Sequence, residues 1–238
     1  MSKIIIEPKD RVFVLTGAGI SAESGLPTFR AEDGLWAGHS VEEVCTAEAW
    51  VRNPEKVWLF YAERRAAGVK AKPNPAHTAL AELEKQLGDR FFLCTQNVDT
   101  LHEAAGSKRL IHMHGQLDRA RCENECGRPP VVDNTVYKSL AEVPRCSCGG
   151  RLRPHIVFFG EMPLEMDRIE GEIAKSTVMV VIGTSGSVYP AAGFVNWAQQ
   201  QGARTIYIGP ERPLNASAFT NIVLGKAGQA MPGLFEVK

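Results

Sequence analysis

Three short runs, RVFVLT (11–16), RFFLCT (90–95) and VMVVIG (178–183), are apolar almost without interruption. A strand covered on one face alternates apolar and polar residues, whereas a continuous run of this length fits a strand buried on both faces. Weaker runs at 109–114, 155–159, 205–208 and 221–224 share the β-branched character. Helical patterns lie between several of them. Asn74-Pro75 supplies an N-cap and first-turn proline for a helix carrying Leu80, Leu83 and Leu87, which Gly88 ends. Asn53-Pro54 opens another through Val57, Phe60 and Tyr61 to Gly68. Strands alternating with helices predict an α/β fold built on a Rossmann-like, doubly wound parallel sheet.

Two segments break the alternation. Residues 31–73 hold helix signals without a convincing strand, and residues 116–153 hold four cysteines and a loop rich in Pro, Asp and Asn. Both read as insertions. The expected division is a Rossmann-like domain from 1–30, 74–115 and 154–238, and a smaller domain from 31–73 and 116–153. That smaller domain would join a helical insertion to a four-cysteine zinc-binding insertion.

Composition narrows the function classes. The 238 residues carry 27 Lys+Arg against 27 Asp+Glu, so the net charge is zero. Phosphate neutralisation needs a basic surplus, so stable nucleic-acid binding is not expected. The apolar runs are too short to span a bilayer, and MSKIIIEPKDR has neither the apolar stretch nor the cleavage site of a secretory signal. A cytoplasmic protein without membrane partners is expected. Oligomeric state is not legible.

Four of the six cysteines, Cys122, Cys126, Cys146 and Cys148, fall within residues 122–148. In a cytosolic chain such a cluster points to metal before disulfides. Four thiolates close a tetrahedral Zn²⁺ site with no open position, so the zinc would be structural.

The stretch RVFVLTGAGISAESG (11–25) runs a strand into Gly17-Ala18-Gly19, with Ala22 at the third position of a dinucleotide-binding G-x-G-x-x-G/A pattern. Gly17 would permit the turn, and Gly19 would let backbone N–H groups approach a pyrophosphate. No second strand ending in an acidic residue follows at the usual distance, which disfavours an ordinary hydride-transfer domain. In TQNVDTLHEAAG (95–106), Gln96, Asn97 and Asp99 stand at a strand's carboxyl end, as ligand groups or, equally, as helix caps. In LIHMHGQ, period-two alternation puts His112 and His114 on one face, and spacing does not choose the base between them.

Together these segments resemble the sirtuin family of NAD-dependent protein-lysine deacylases, over about residues 11–232. GAGISAESGLPTFR is similar to the family's phosphate and nicotinamide loop, and TQNVDTLHEAAG to its nicotinamide and ribose segment. His114-Gly115 matches the catalytic His-Gly and so selects His114. RPHIVFFGE (153–161) and GTSGSVYPAA (183–192) resemble the peptide-binding and cofactor-binding loops. The resemblance implies NAD contacts from Gly17, Ala18, Gly19, Ser21, Ala22 and Glu23, then from Phe29, Arg30 and Trp36. Gln96 would meet the ribose, and Asn97 and Asp99 the carboxamide. Gly183, Thr184 and Ser185, then Gly209, Pro210, Glu211 and Ala227, complete that set. Phe159, Gly160, Glu161, Val188 and Tyr189 would border the peptide.

A subclass is also implied. Thr28 stands where many deacetylases carry Asp, a feature of sirtuins that remove acidic acyl groups. Those members also carry Tyr-x-x-Arg, here Tyr61 and Arg64. Positions i and i+3 share a helix face, so a phenol and a guanidinium can converge on one carboxylate. The resemblance therefore implies a desuccinylase/demalonylase with some deacetylase activity, consuming NAD, releasing nicotinamide and passing the acyl group to ADP-ribose. His114 would be the general base. Two departures stand out: the Cys spacings, CxxxC and CxC, differ from the family's CxxC pairs, and Gly209 replaces a frequent Asn. Rival readings are a mono-ADP-ribosyltransferase using the same NAD pocket and, more remotely, a zinc-dependent nucleic-acid module beside Arg145, Arg151 and Arg153.

Overall fold

The computed structural model describes residues 3–28, 35–36 and 38–238. Its central sheet has six strands, all parallel: Val12–Thr16, Phe91–Thr95, Leu110–His112, Val178–Ile182, Arg204–Gly209 and Asn221–Leu224. Numbered along the chain from one to six, they stand in the order 6-5-4-1-2-3. That is the doubly wound order, and it reverses between Val12–Thr16 and Val178–Ile182. The expected α/β class with a Rossmann-like sheet is therefore observed.

The continuous apolar runs are explained by what covers each face. Val12, Val14, Leu93, Val180, Ile182 and Ile208 point to one side, where they pack with Leu80, Leu83 and Leu87 of the Pro75–Leu87 helix. Phe13, Leu15, Phe92, Cys94, Met179 and Val181 point to the other, against Ile169, Ile173, Phe194 and Val195 of the Met166–Lys175 and Ala191–Gln200 helices. Each such fully buried side chain contributes about 1.5–3 kcal/mol of transfer free energy.

A third core holds the smaller unit. Val44, Trp50, Trp58 and Tyr61 come from short helices and the long Pro54–Lys70 helix. Leu117, Ala120 and Leu152 come from a three-stranded antiparallel sheet, Val131–Val132, Gly115–Cys122 and Leu152–Ile156.

Several elements differ from expectation. The strand expected at 155–159 begins three residues earlier, at Leu152, and pairs with Gly115–Cys122 rather than joining the parallel sheet. The Gly115–Cys122 strand was not expected, because its polar outer face (Gln116, Asp118) dilutes the apolar signal. The small sheet therefore straddles the 115/116 and 153/154 divisions drawn from the sequence. The long helix runs through Gly68 to Lys70. Within the 31–73 segment, read as lacking a convincing strand, Leu35–Trp36 and His39–Ser40 form a short antiparallel pair. Ile4–Ile6 pairs in parallel with Phe235–Val237, a contact between distant segments that local pattern cannot reveal. No described helix is long and apolar enough to cross a membrane.

Candidate active site and thiolate cluster

The loops that follow the strands' carboxyl ends converge where the strand order reverses. Val12–Thr16 leads into a 3-10 turn, Ala18–Ser24, and Val178–Ile182 leads into the 183–190 loop. The Gly17 amide donates to the Ile182 carbonyl (2.9 Å) and the Gly19 amide to Gly183 (2.8 Å). A Cβ on Gly17 would stand 2.9 Å from the Gly183 carbonyl oxygen, and one on Gly19 2.7 Å from Gly183 Cα. Gly183 itself is left-handed (φ +64). The glycines thus let the two loops meet backbone to backbone. Ala18 is half-buried and Ala22 exposed on that turn. The turn is 3-10 rather than α-helical, closed by left-handed Gly25.

Beneath the turn lies a directional polar chain. Asn74 caps the Pro75–Leu87 helix, and its amide donates to His77 Nδ1 (3.3 Å). That fixes the hydrogen on Nε2, which faces Ser21 Oγ at 3.5 Å. Ser21 Oγ donates to Asp99 Oδ2 (3.0 Å) and accepts from Asn97 Nδ2 (3.0 Å). Asp99 Oδ1 accepts the Leu101 amide (3.0 Å). Asp99 therefore braces the start of the Leu101–Ala104 helix from just ahead of its first turn, while its other oxygen holds Ser21. Burial raises the Asp99 pKa, a shift partly offset by Leu101 and Ser21. Burial pushes His77 down to about 4. Gln96 places its amide on the Thr16 carbonyl (2.9 Å), while its side-chain Nε2 is buried and unpartnered among the described residues.

His114 Nδ1 faces the Gln96 carbonyl at 3.1 Å. A carbonyl only accepts, so Nδ1 carries the hydrogen and the neutral ring's lone pair is on Nε2. Burial lowers its pKa, offset in part by that carbonyl. Gly115 follows at φ +86, and any Cβ there would collide with the His155 carbonyl. The His-Gly pair is thus set by the seam between the two sheets.

The outer loops are arranged as follows. Glu23 turns to the Ala227–Ala230 turn, accepting the Gly228 amide at 2.6 Å, so it ties that segment and buried Ala227 to the glycine loop. Thr184 packs by Gly17, and Ser185 and Ser187 hydroxyls meet at 2.6 Å. Gly209 ends its strand beneath Tyr207, whose hydroxyl fills the place a side chain at 209 would need; Pro210 and Glu211 follow, exposed. Phe29 and Arg30 lie outside the described residues, as does the Trp36 side chain.

In the smaller unit, Tyr61 is 1 % exposed and its hydroxyl donates to Cys45 Sγ at 3.5 Å. The Arg64 guanidinium lies over Phe60 (4.5 Å) and reaches Glu63 with Nη2 (3.3 Å). Its Nη1 is buried without a partner among the described residues. Cys45, a residue the sequence did not single out, also receives the Phe159 amide on its carbonyl (2.8 Å). This brings the 158–161 loop against the Tyr61 helix, with the Phe158 ring tilted 31° to that of Tyr61 at 6.1 Å. Glu161 turns inward: it holds Arg153 (2.6 Å), Arg121 (3.0 Å) and the Phe158 amide (2.8 Å). Burial raises its pKa, but Arg153, the Phe158 amide and Arg121 outweigh that and lower it. Phe159 and Gly160 are exposed, as is Tyr189, and Val188 is half-buried.

The four cysteines do converge. Their sulfurs lie within 4.8 Å of one another, with Cys122–Cys148 at 3.4 Å and Cys126–Cys146 at 3.7 Å. Thiolates about 2.3 Å from one tetrahedral ion stand about 3.8 Å apart, so the cluster fits zinc. The odd spacing is absorbed by backbone. Glu125 (φ 46) and Gly127 (φ 77) turn the first pair, and a tight turn closed by Gly149 N–H to the Cys146 carbonyl (2.8 Å) brings the second pair together.

A doubly wound sheet with a glycine contact at its switch point, a half-buried histidine at the seam between the two sheets and an appended four-thiolate module defines a nucleotide-binding α/β enzyme. The chain belongs to the Sir2 family, whose model matches residues 17–190. It is 50% identical over 230 residues to the "NAD-dependent protein deacylase" of Pasteurella multocida, covering 93% of this chain and 95% of that one. The Escherichia coli K12 protein of the same name is 48% identical, covering 96% and 82%. Among solved structures, a Sir2 homologue–NAD complex superposes with a TM-score of 0.85 at 42% identity, covering 94% and 87% of the two chains. A Sir2 homologue mutant–ADP ribose complex gives 0.86 at 41%, covering 94% and 89%.

Proposed function

We propose that this chain is an NAD-dependent protein-lysine deacylase, acting in the cytoplasm, that prefers acidic acyl groups such as succinyl and malonyl and retains some deacetylase activity. The observation that carries the reaction type is His114: a half-buried histidine, its pKa lowered by desolvation, beside a polar strand-end loop. Gln96 Nε2, unpartnered among the described residues, with Asn97 and Asp99 braced on Ser21, fits a ligand rich in ribose hydroxyl and carboxamide groups. NAD, when bound, would supply ADP-ribose as acceptor of the acyl group and release its nicotinamide.

The chain's own residues divide the work. Gly17, Gly19 and Gly183 bring two loops close enough to leave a narrow floor at the switch point. Asn97 and Asp99 orient the carboxamide, and Gln96 the adjoining ribose. His114 Nε2 takes a proton from a ribose hydroxyl, which its neutral state at pH 7 permits. Gly209, Pro210 and Glu211 meet the distal nucleoside through backbone, and Ala227 closes that end. The acyl-lysine peptide lies between the Phe159–Gly160 rim and Val188–Tyr189, with Glu161 bracing the rim from behind. The thiolate module, holding one structural zinc, stands away from the proton transfer.

The acidic-acyl preference rests on Arg64. Arg64 Nη1 is buried without a partner among the described residues, which is costly, and an acyl carboxylate would satisfy it, with the Tyr61 hydroxyl turning from Cys45 to donate to the same group. The deciding experiment follows nicotinamide release from NAD with one lysine peptide carrying either succinyl or acetyl. Faster turnover of succinyl supports the full reading, and faster acetyl turnover removes Arg64 from its role. Transfer of radiolabel from NAD to the protein substrate, without deacylation, would favour ADP-ribosyl transfer instead.

A further inference from the structure

His112 has no part in the proton transfer just described, yet it is one of the most constrained side chains near the site. Its side chain is 7 % exposed, and its ring is held at both ends: Nδ1 lies 2.9 Å from the Asn97 carbonyl oxygen and Nε2 2.8 Å from Glu103 Oε1. A carbonyl and an ionised carboxylate can only accept, so both ring nitrogens must carry hydrogen. His112 is then an imidazolium inside the protein, balanced by Glu103.

His114, two residues on, holds the neighbouring Gln96 carbonyl with its own Nδ1. Two rings, one ending the Leu110–His112 strand and one in the turn after it, therefore grip consecutive carbonyls of the same loop, one charged and one neutral. Other groups around His112 agree with this division. Burial opposes its charge, but the Glu103 hydrogen bond and charge, the Asn97 carbonyl and Asp99 outweigh it and raise its pKa. Arg119 faces Glu103, and Gln116 Nε2 approaches the same carboxylate oxygen at 3.4 Å. Two further histidines are near: burial pushes His155 to about 4 and His102 well below its usual range, so neither adds a competing positive charge.

The loop gripped in this way carries Asn97 and Asp99. Few other bonds hold its backbone: Gln96 N–H to the Thr16 carbonyl, Asn97 N–H to Thr95 Oγ1, and the Val98 carbonyl to Leu117 N–H. A charge-assisted bond to the Asn97 carbonyl is roughly twice as strong as a neutral one. We propose that His112, as a doubly protonated ring locked between Glu103 and the Asn97 carbonyl, is the positioning residue that fixes residues 96–99 for recognition of the nicotinamide carboxamide. This rests on the reading of Asn97 and Asp99 given above.

The test uses the full chain and two ligands, NAD and ADP-ribose, the second of which lacks the nicotinamide. Glu103→Gln keeps the shape but removes the balancing charge, and His112→Asn removes the ring. Calorimetry should find NAD binding weakened about five- to twentyfold in both, the scale of a charged hydrogen bond, with ADP-ribose binding within about twofold. Ring ¹⁵N spectra of the ligand-free wild type should show His112 doubly protonated at pH 7, and Glu103→Gln should abolish that signature. A neutral His112 ring in the wild type, or unchanged NAD affinity in Glu103→Gln, would overturn the inference. Equal weakening of both ligands would also overturn it, since that marks general loosening. Wild-type protein that binds neither compound would remove the NAD reading itself, and this inference with it.

Discussion

Gly19 and Gly183 touch through their backbones: the Gly19 amide donates to the Gly183 carbonyl at 2.8 Å, and neither has room for a Cβ. Their contact joins the two loops that leave the sheet at its switch point. Gly183→Ala would also force a side chain into a left-handed backbone, which costs about 1–3 kcal/mol, with overpacking adding a similar amount. Denaturant unfolding of Gly183→Ala should show a loss of about that combined size. A loss within about 0.5 kcal/mol, the range of ordinary surface substitutions, would mean the loops do not meet as described.

His114→Ala should lower deacylase turnover by about 10²–10⁴-fold, the usual contribution of a general base. The base must be neutral, and burial lowers the His114 pKa. The acid limb of the rate profile should therefore lie below the ordinary histidine value of about 6.5. A limb at or above that value would remove His114 as the titrating base.

Arg64→Met should cost desuccinylation about 2–5 kcal/mol, the scale for stripping one partner from a buried charge pair. Deacetylation should suffer much less. Peptide kinetics on the two acyl groups give the answer, and equal losses would end the carboxylate role of Arg64.

Metal analysis of purified protein should return about one zinc per chain. Removing it should destabilise the smaller unit first, with Tm falling about 2–4 °C for each kcal/mol lost. Cys126 and Cys148, both exposed, should then become the first thiols to alkylate. Buried Cys45, pushed to about 11, should resist the reagent throughout.

Stability should fall as the solution is acidified below about pH 6.5. His77 and His102 are both fully buried, with folded pKa values depressed by burial, His77 to about 4. The unfolded chain binds their protons near pH 6.5 and the folded chain does not, so acid favours unfolding. Each contributes a slope of up to about 1.4 kcal/mol per pH unit between its two pKa values. His112 opposes them, because its raised pKa favours the folded state as pH falls. Equilibrium unfolding at pH 7.5, 6 and 5 should show the decline, and replacing His77 should flatten it.

Much of this was legible in the sequence because the relevant signals are local. VMVVIG is continuous because both sheet faces are covered, and Asn74-Pro75 marks a helix start because its cap really forms. Residues that act across the chain were less visible. Cys45 gained meaning only when Tyr61, sixteen residues on, folded back to it. Glu161 reads as a groove residue in RPHIVFFGE, yet two arginines and an amide draw it inward. The departure at Gly209 has a steric reason in Tyr207, two positions earlier on the same strand face. Pattern counts both positions as ordinary strand and cannot see the hydroxyl above the glycine.

The parallel pairing of Ile4–Ile6 with Phe235–Val237 has a mechanical consequence. Traction on the chain in opposite directions before Ile4 and after Val237 would slide these strands along each other. The bonds from Ile4 to the Leu234 carbonyl and from Lys238 to the Ile6 carbonyl would then be loaded together rather than unzipped singly. A clasp of this geometry must give way across all its bonds at once, so the two joined segments part as a unit.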